Sequence, residues 1–210
     1  MELLHQLSQA LRLGDETRTA ELARQAVSAR LPARQVLDQG LIAGMNRVGE
    51  LFRDGEIFLP DVLLAARAMY AGLDVLKPLL LEDKVEPLGR VVIGTVQGDL
   101  HDIGKNLVGI MLRGAGFDVI DLGNDVAPDR FVDTAQKEGA RIIGMSALLT
   151  TTMPVMKQVC DLVVRRNLRN RVKVIIGGAP VTEEYARQVG ADAYGFDAAA
   201  AVETVKRLLA

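Results

Sequence analysis

The apolar residues change their spacing near residue 90, and that change constrains the fold more than any other feature of the chain. From Arg90 onward, short runs rich in β-branched residues alternate with segments of helical period. Strand candidates are 90–96, 117–121, 141–146, 172–176 and 192–195. Helices are expected between them at about 103–115, 128–138, 153–166 and 182–189, with a last one at about 198–209. Five β/α units with short loops predict an α/β domain built on a doubly wound, five-stranded parallel sheet. At this size the flavodoxin-like (Rossmann-like) strand order 2-1-3-4-5 is the most economical.

Residues 1–81 carry helical spacing throughout and predict an N-terminal all-α four-helix bundle. Leu3, Leu4, Leu7 and Leu11 form the first apolar stripe. Gly14-Asp15 interrupts it, and Asp15 or Thr17 can cap a second helix carrying Leu22, Ala23, Ala26 and Val27. Pro32 suits the first turn of a third helix with Val36, Leu37, Leu41, Met45, Val48 and Phe52. After the Asp54-Gly55 turn, a fourth helix starts near Pro60 and carries Val62, Leu63, Ala66, Met69, Tyr70, Leu73 and Leu76. Residues 82–89 are charged, contain Pro87 and Gly89, and have no period, so they read as a linker between domains 1–81 and 90–210.

Half of the 210 residues are apolar and a quarter are charged, the balance of a globular chain. A net charge of −2 gives no electrostatic footprint for nucleic acid, and without Trp there is no stacking platform for single strands. No apolar run approaches the ~20 residues that span a bilayer, and no basic segment precedes an apolar one as in a signal peptide. These features favour the cytoplasm and no membrane association. Cys160 is the single cysteine, which excludes an internal disulfide and a cysteine-rich metal cluster. On its helix it reads as a small core residue.

In the 2-1-3-4-5 order the ligand crevice opens between the first and third strands. The loop after the first strand reads Gly98-Asp99-Leu100-His101-Asp102-Ile103-Gly104. The loop after the third begins Ser146-Ala147-Leu148-Leu149-Thr150-Thr151-Thr152, and Gly177-Gly178-Ala179 after the fourth borders both. His101 can ligate Co, Fe, Cu or Zn. Asp99 can accept a hydrogen bond from its other ring nitrogen, which fixes the tautomer. A zinc site built by the protein needs three or four ligands. One histidine with an aspartate partner instead fits a metal that brings its own equatorial ligands, and haem and corrin both qualify on that argument. Gly98, Gly104 and the pair Gly177-Gly178 leave room for close approach. Read alone, Asp99 and His101 are better taken as loop residues that cap the following helix, and Gly177-Gly178 as a plain strand-to-helix turn.

Asp99-x-His101-x-x-Gly104, then Ser146-x-Leu148, then Gly177-Gly178 resembles the cobalamin-binding module of methionine synthase and the small corrinoid proteins of methylamine, methanol and methoxy-aromatic methyltransferase systems. Met45 to Phe52 and Phe58-Leu59-Pro60-Asp61-Val62 are similar to the helical cap of that family. The resemblance implies that cobalamin, or a related corrinoid with methylcobalamin as its methylated form, is the cofactor. His101 would be the lower axial cobalt ligand in place of the cofactor's own benzimidazole, the base-off/His-on state. Asp99 would hydrogen-bond it, and Thr152 would complete that relay where the family usually has serine. The Asp99–His101 pair would take up a proton as His101 detaches. Gly98, Asp102, Ile103, Gly104, Leu148 and Ala179 fall within the motifs that contact the cofactor. Ser146, Thr150, Gly177 and Gly178 would line a slot for the displaced nucleotide tail. Phe52, Phe58, Leu59 and Val62 are either bundle core or the cap over the upper, methyl-bearing face.

The implied function is a methyl carrier, not an enzyme on its own, and the cobalamin-carrying subunit of a methyltransferase system. Its partners would be a substrate-specific methyltransferase, an acceptor methyltransferase acting on a thiol or a tetrahydropterin, and a separate reductive activase. A cobalamin-dependent sensor or regulatory module is the alternative, but light-responsive modules add a basic domain and an aromatic-rich cap, and this chain has neither. A radical mutase subunit needs an upper face open to a barrel, which a helical cap would block.

Overall fold

The computed structural model describes residues 2–83 and 85–210. The chain divides into two compact units, one through Glu86 with Gly114–Gly116, the other comprising Pro87–Arg113 and Phe117–Ala210.

The first unit is helical: α1 (Glu2–Arg12), α2 (Glu16–Ser28), α3 (Ala33–Val36), a π-helical stretch (Leu37–Ile42), α4 (Ala43–Arg53) and α5 (Leu59–Glu82). Asp15 caps α2, its Oδ1 accepting from the Arg18 N–H at 2.9 Å. The third expected helix is one continuous helical run, 33–53, widened by the π stretch at its centre. Within that stretch Gly40 lies so close to α1 that a Cβ there would stand 2.5 Å from Leu7 Cδ2. The core joins Leu4, Leu7 and Leu11 of α1 to Leu22 and Ala26 of α2 and to Leu41, Val48, Met69 and Leu76.

Helix α5 departs from its expected stripe. Leu63 and Tyr70 are exposed, and the buried face runs through Val62, Ala65, Ala66, Met69, Gly72 and Leu76. These are mostly small residues, which lets α2 lie close against α5. Glu82, expected in the linker, is the last residue of α5. Val85 to Gly89 form no helix or strand, and Lys84 lies outside the described residues.

The second unit is a five-stranded parallel sheet, β1 (Arg90–Thr95), β2 (Asp118–Asp121), β3 (Ile142–Ser146), β4 (Lys173–Gly177) and β5 (Ala193–Gly195), in the order 2-1-3-4-5. Helices α6 (Ile103–Gly114), α7 (Pro128–Glu138), α8 (Pro154–Arg165), α9 (Glu183–Val189) and α10 (Ala198–Leu209) make the crossovers and close the chain. One core cluster packs Val92, Ile143, Met145 and Ile176 of the strands against Phe131, Met156 and Cys160 of the helices. β1 ends one residue earlier than expected, at Thr95, and Val96 forms an isolated bridge with Val126 while its N–H still donates to the Ser146 carbonyl at 3.0 Å. The register sets Thr95, Ser146, Gly177 and Gly195 side by side across four strands. The loops after β1, β3, β4 and β5 therefore start from one level. No helix among the described residues is long and apolar enough to cross a membrane.

Candidate cofactor site

The loops that follow β1 and β3 meet at Asp99. Gly98 makes the turn with φ +84°, and Asp99, fully buried, points its carboxylate across to the β3 loop. Oδ2 accepts from the backbone N–H groups of Leu148 at 2.7 Å and Leu149 at 3.1 Å, and from Thr152 Oγ1 at 3.1 Å. Oδ1 accepts from the backbone N–H of His101 at 3.0 Å and lies 2.7 Å from His101 Nδ1. Burial pushes the Asp99 carboxyl up, but the hydrogen bonds from His101, Leu148 and Leu149 outweigh it and hold the group well below the usual carboxylate range. Asp99 is thus a fixed anion, and an anion at Nδ1 requires the proton there. That assigns the lone pair to Nε2, the free nitrogen of a side chain that is 53% exposed.

Thr152 is buried, and its hydroxyl lies within reach of both Asp99 Oδ2 and the Leu149 carbonyl, the latter at 2.8 Å. Thr152→Val removes the hydroxyl at nearly constant volume and is expected to cost about 1–2 kcal/mol of apoprotein stability by denaturant unfolding. Thr152→Ser keeps the donor, and a loss as large as that of the valine variant would show that the methyl packing, not the hydroxyl, matters.

The remaining expected residues sit around this centre. Asp102 precedes α6, its carbonyl accepting from the Asn106 N–H at 2.8 Å. Ile103 and Gly104 open α6 and are exposed, and a Cβ on Gly104 would meet nothing within 4 Å. Ser146 ends β3, half-buried, while Leu148 and Thr150 are exposed on the loop after it. Gly177 pairs with Ser146, and Ala179 is exposed one residue beyond Gly178. Gly178 has φ +125°, and a Cβ there would come within 1.9 Å of the Ala147 carbonyl oxygen, so only glycine fits where the β4 loop crosses the β3 loop. Phe52, Phe58, Leu59 and Val62 belong to the helical unit. Val62 is fully buried, Phe52 and Leu59 are half-buried, and Phe58 is 70% exposed.

Sequence reasoning missed three further features. Leu100, Leu149 and Phe196 join Ile103 and Leu148 as large exposed apolar side chains, all on the carboxyl edge or the helix start beside it. Lys105 is buried and pairs with Asp121, and Asp125 binds the backbone around Asp99. The one available signal was Leu100 and Leu149: apolar residues in turns, with no periodic partner.

These features decide what the site can hold. Among the described residues no group of three His, Cys, Asp or Glu side chains converges as a metal centre. The donor set is one imidazole nitrogen, backed by a fixed carboxylate, with exposed leucine and isoleucine side chains on the same two loops and at the start of α6. A metal carried on the face of a large, largely apolar macrocycle fits that set, and the open space at Gly104 leaves room for its edge.

Comparison with known proteins agrees. Two B12 binding domain models match, one over residues 89–205 and another over residues 3–77. A corrinoid protein of Desulfitobacterium hafniense is 44% identical over 212 residues, covering 100% of this chain and 98% of that protein. Dimethylamine corrinoid protein 1 of Methanosarcina acetivorans is 48% identical over 181 residues, 86% of this chain and 85% of its own. Among solved structures, the methanol:cobalamin methyltransferase complex of Methanosarcina barkeri matches with a TM-score of 0.88 at 32% identity, covering 99% of this chain and 80% of that one. A cobalamin-binding protein of Desulfitobacterium hafniense matches with a TM-score of 0.82 at 36% identity, covering 98% of each chain.

Proposed function

The chain belongs to the family of B12-binding corrinoid proteins, and on that premise we propose that it carries a methyl group on cobalamin between two partner methyltransferases. One partner would take the methyl from a substrate. Similarity to the dimethylamine corrinoid protein and to the methanol:cobalamin methyltransferase complex supports a methylated amine or methanol as that substrate. The other would pass it to a thiol or a tetrahydropterin, and a separate reductive activase would restore cofactor lost to oxidation. The cytoplasm is the proposed compartment.

The observation that carries the reading is the Asp99–His101 pair, a buried anion that fixes one imidazole tautomer and leaves Nε2 free. When bound, the corrin supplies a cobalt centre able to accept and release a methyl group. His101 Nε2 is the nitrogen that would hold the cobalt, base-off/His-on. Were the imidazole to release the metal, the Asp99–His101 pair would be the proton acceptor, with Asp99 Oδ1 2.7 Å from Nδ1. Thr152 holds Asp99 in place through its hydroxyl. Ser146, Thr150, Gly177 and Gly178 line the slot for the nucleotide tail, and Leu148, Ile103 and Gly104 meet the corrin. Phe52, Phe58, Leu59 and Val62 would serve as the cap over the upper face, and residues 85–89, beyond the end of α5, would act as its hinge. The chain binds and positions, while the substrate pockets belong to its partners.

The test is methyl transfer. Protein incubated with methylcobalamin and desalted is offered a corrinoid:thiol or corrinoid:tetrahydropterin methyltransferase with its acceptor, and the methylated acceptor is measured by mass. Retained corrin with stoichiometric transfer supports the carrier. Retained corrin with no transfer to either acceptor class leaves a binding module and overturns it.

A further inference from the structure

The Asp99 side chain is held by the loop after β3, but its backbone is held by the loop after β2. The Gly98 N–H donates to Asp125 Oδ1 at 2.7 Å, and the Asp125 N–H donates to the Asp99 carbonyl at 3.0 Å. Asn124 Nδ2 adds a longer contact to the Leu100 carbonyl, at 3.4 Å. Three consecutive residues before His101 are thereby tied to one neighbouring loop. Asp125 itself is left-handed, φ +51°, a conformation that aspartate tolerates better than most residues.

That loop is pinned in turn. The Thr95 N–H donates to the Gly123 carbonyl at 2.9 Å, and the Gly123 N–H donates to Asp121 Oδ1 at 2.9 Å. Asp121 receives Lys105 Nζ at 2.7 Å on Oδ1 and 2.6 Å on Oδ2, and Lys105, only 4% exposed, also donates to Asn106 at 2.6 Å. Lys105 lies in the first turn of α6, four residues after His101. The turn that bears His101 is therefore bracketed on both sides by the same β2 loop. The β1–β2 register ends at the Ile93–Asp121 pair, so the side-chain ties of Asp121 and Asp125 lie at and beyond the end of the ladder.

We propose that Asp125 is a positioning residue for the lower cobalt ligand, its carboxylate holding the 98–101 turn so that His101 can meet the metal while Asp99 keeps Nδ1. The inference rests on the reading of His101 as that ligand. A ligand that detaches and returns gains from a turn already fixed in the bound geometry, because little order is lost on each return. Outer partners of metal-binding histidines are worth about ten-fold or more in affinity.

The test uses the full chain loaded with cobinamide, a corrinoid that lacks the benzimidazole base and so brings no axial nitrogen of its own, reduced to cobalt(II) at a fixed neutral pH. Electron paramagnetic resonance then reads the nitrogen splitting that an axial imidazole imposes, with His101→Ala as the zero. Asp125→Asn keeps an acceptor and the left-handed preference, and should retain the wild-type splitting and affinity. Asp125→Ala loses both features. Asp125→Gly keeps the backbone freedom and loses only the acceptor. Both should lose most of the splitting, bind corrin about ten-fold more weakly, and exchange the Gly98 amide faster in the apoprotein. An Asp125→Gly protein with wild-type splitting and exchange overturns the proposal, since backbone conformation alone would then suffice. Wild-type protein that binds corrin without nitrogen splitting overturns the reading of His101 itself, and the proposal with it.

Discussion

His101→Ala will leave the apoprotein folded and abolish histidine ligation of the corrin. The side chain is 53% exposed and makes one side-chain hydrogen bond, to Asp99. Its loss should cost no more than about 1 kcal/mol of folding stability. Asp99 keeps its four other donors: the N–H groups of residues 101, 148 and 149 and the Thr152 hydroxyl. The cofactor is affected far more. No other described residue offers an imidazole in the α/β unit, because the second histidine of the chain, His5, lies in α1. After incubation with methylcobalamin and desalting, the wild type should show a histidine-ligated absorption spectrum. The variant should show a base-off spectrum, with corrin affinity lower by about ten-fold or more. A variant spectrum identical to the wild type would remove His101 from the cobalt.

The sequence displayed the parts of this site that are side chains and hid the parts that are backbone. Asp99 and His101 stand two residues apart in one loop, so spacing allowed their pairing, and the motifs around them favoured it over a helix cap. The strand order brings the loops after β1 and β3 together, and the family resemblance singled out Thr152 within the second of them. The strands themselves were legible because β-branched runs ended at glycine and polar turns. Two of the donors to Asp99 are the N–H groups of Leu148 and Leu149, and a backbone donor leaves no mark on residue type. Asp125 was silent for a related reason: it acts on the backbone of Gly98 and Asp99, 27 and 26 positions away. In α5, apolar residues occur on nearly every face of a 24-residue helix, so periodicity could not say that Leu63 and Tyr70 face solvent. The π stretch at Leu37–Ile42 adds a residue to a turn without changing the apolar pattern around it.

Asp99→Asn will damage the fold where His101→Ala does not, and the difference separates the two roles. The carboxylate accepts from both sides, and an amide has one acceptor oxygen. If the asparagine oxygen faces His101, its NH2 group meets the N–H groups of Leu148 and Leu149. If the oxygen faces those amides, the NH2 group meets the backbone N–H of His101 and drives Nδ1 to accept, which moves the ring proton to Nε2 and blocks the metal lone pair. Either way a buried donor loses its partner, and the apoprotein should be destabilised by about 3 kcal/mol at neutral pH. The effect depends on pH in a fixed direction. The Asp99 carboxyl titrates below its ordinary value in the folded chain, so its contribution is fully present above the unfolded value of about 3.9 and is lost as pH falls from there toward the folded one. Urea unfolding of the two apoproteins between neutral pH and about pH 3 should therefore show a gap that is constant above about pH 5 and narrows on acidification. Curves that stay parallel down to pH 3 would mean that Asp99 is not the ionised acceptor at the centre of the site.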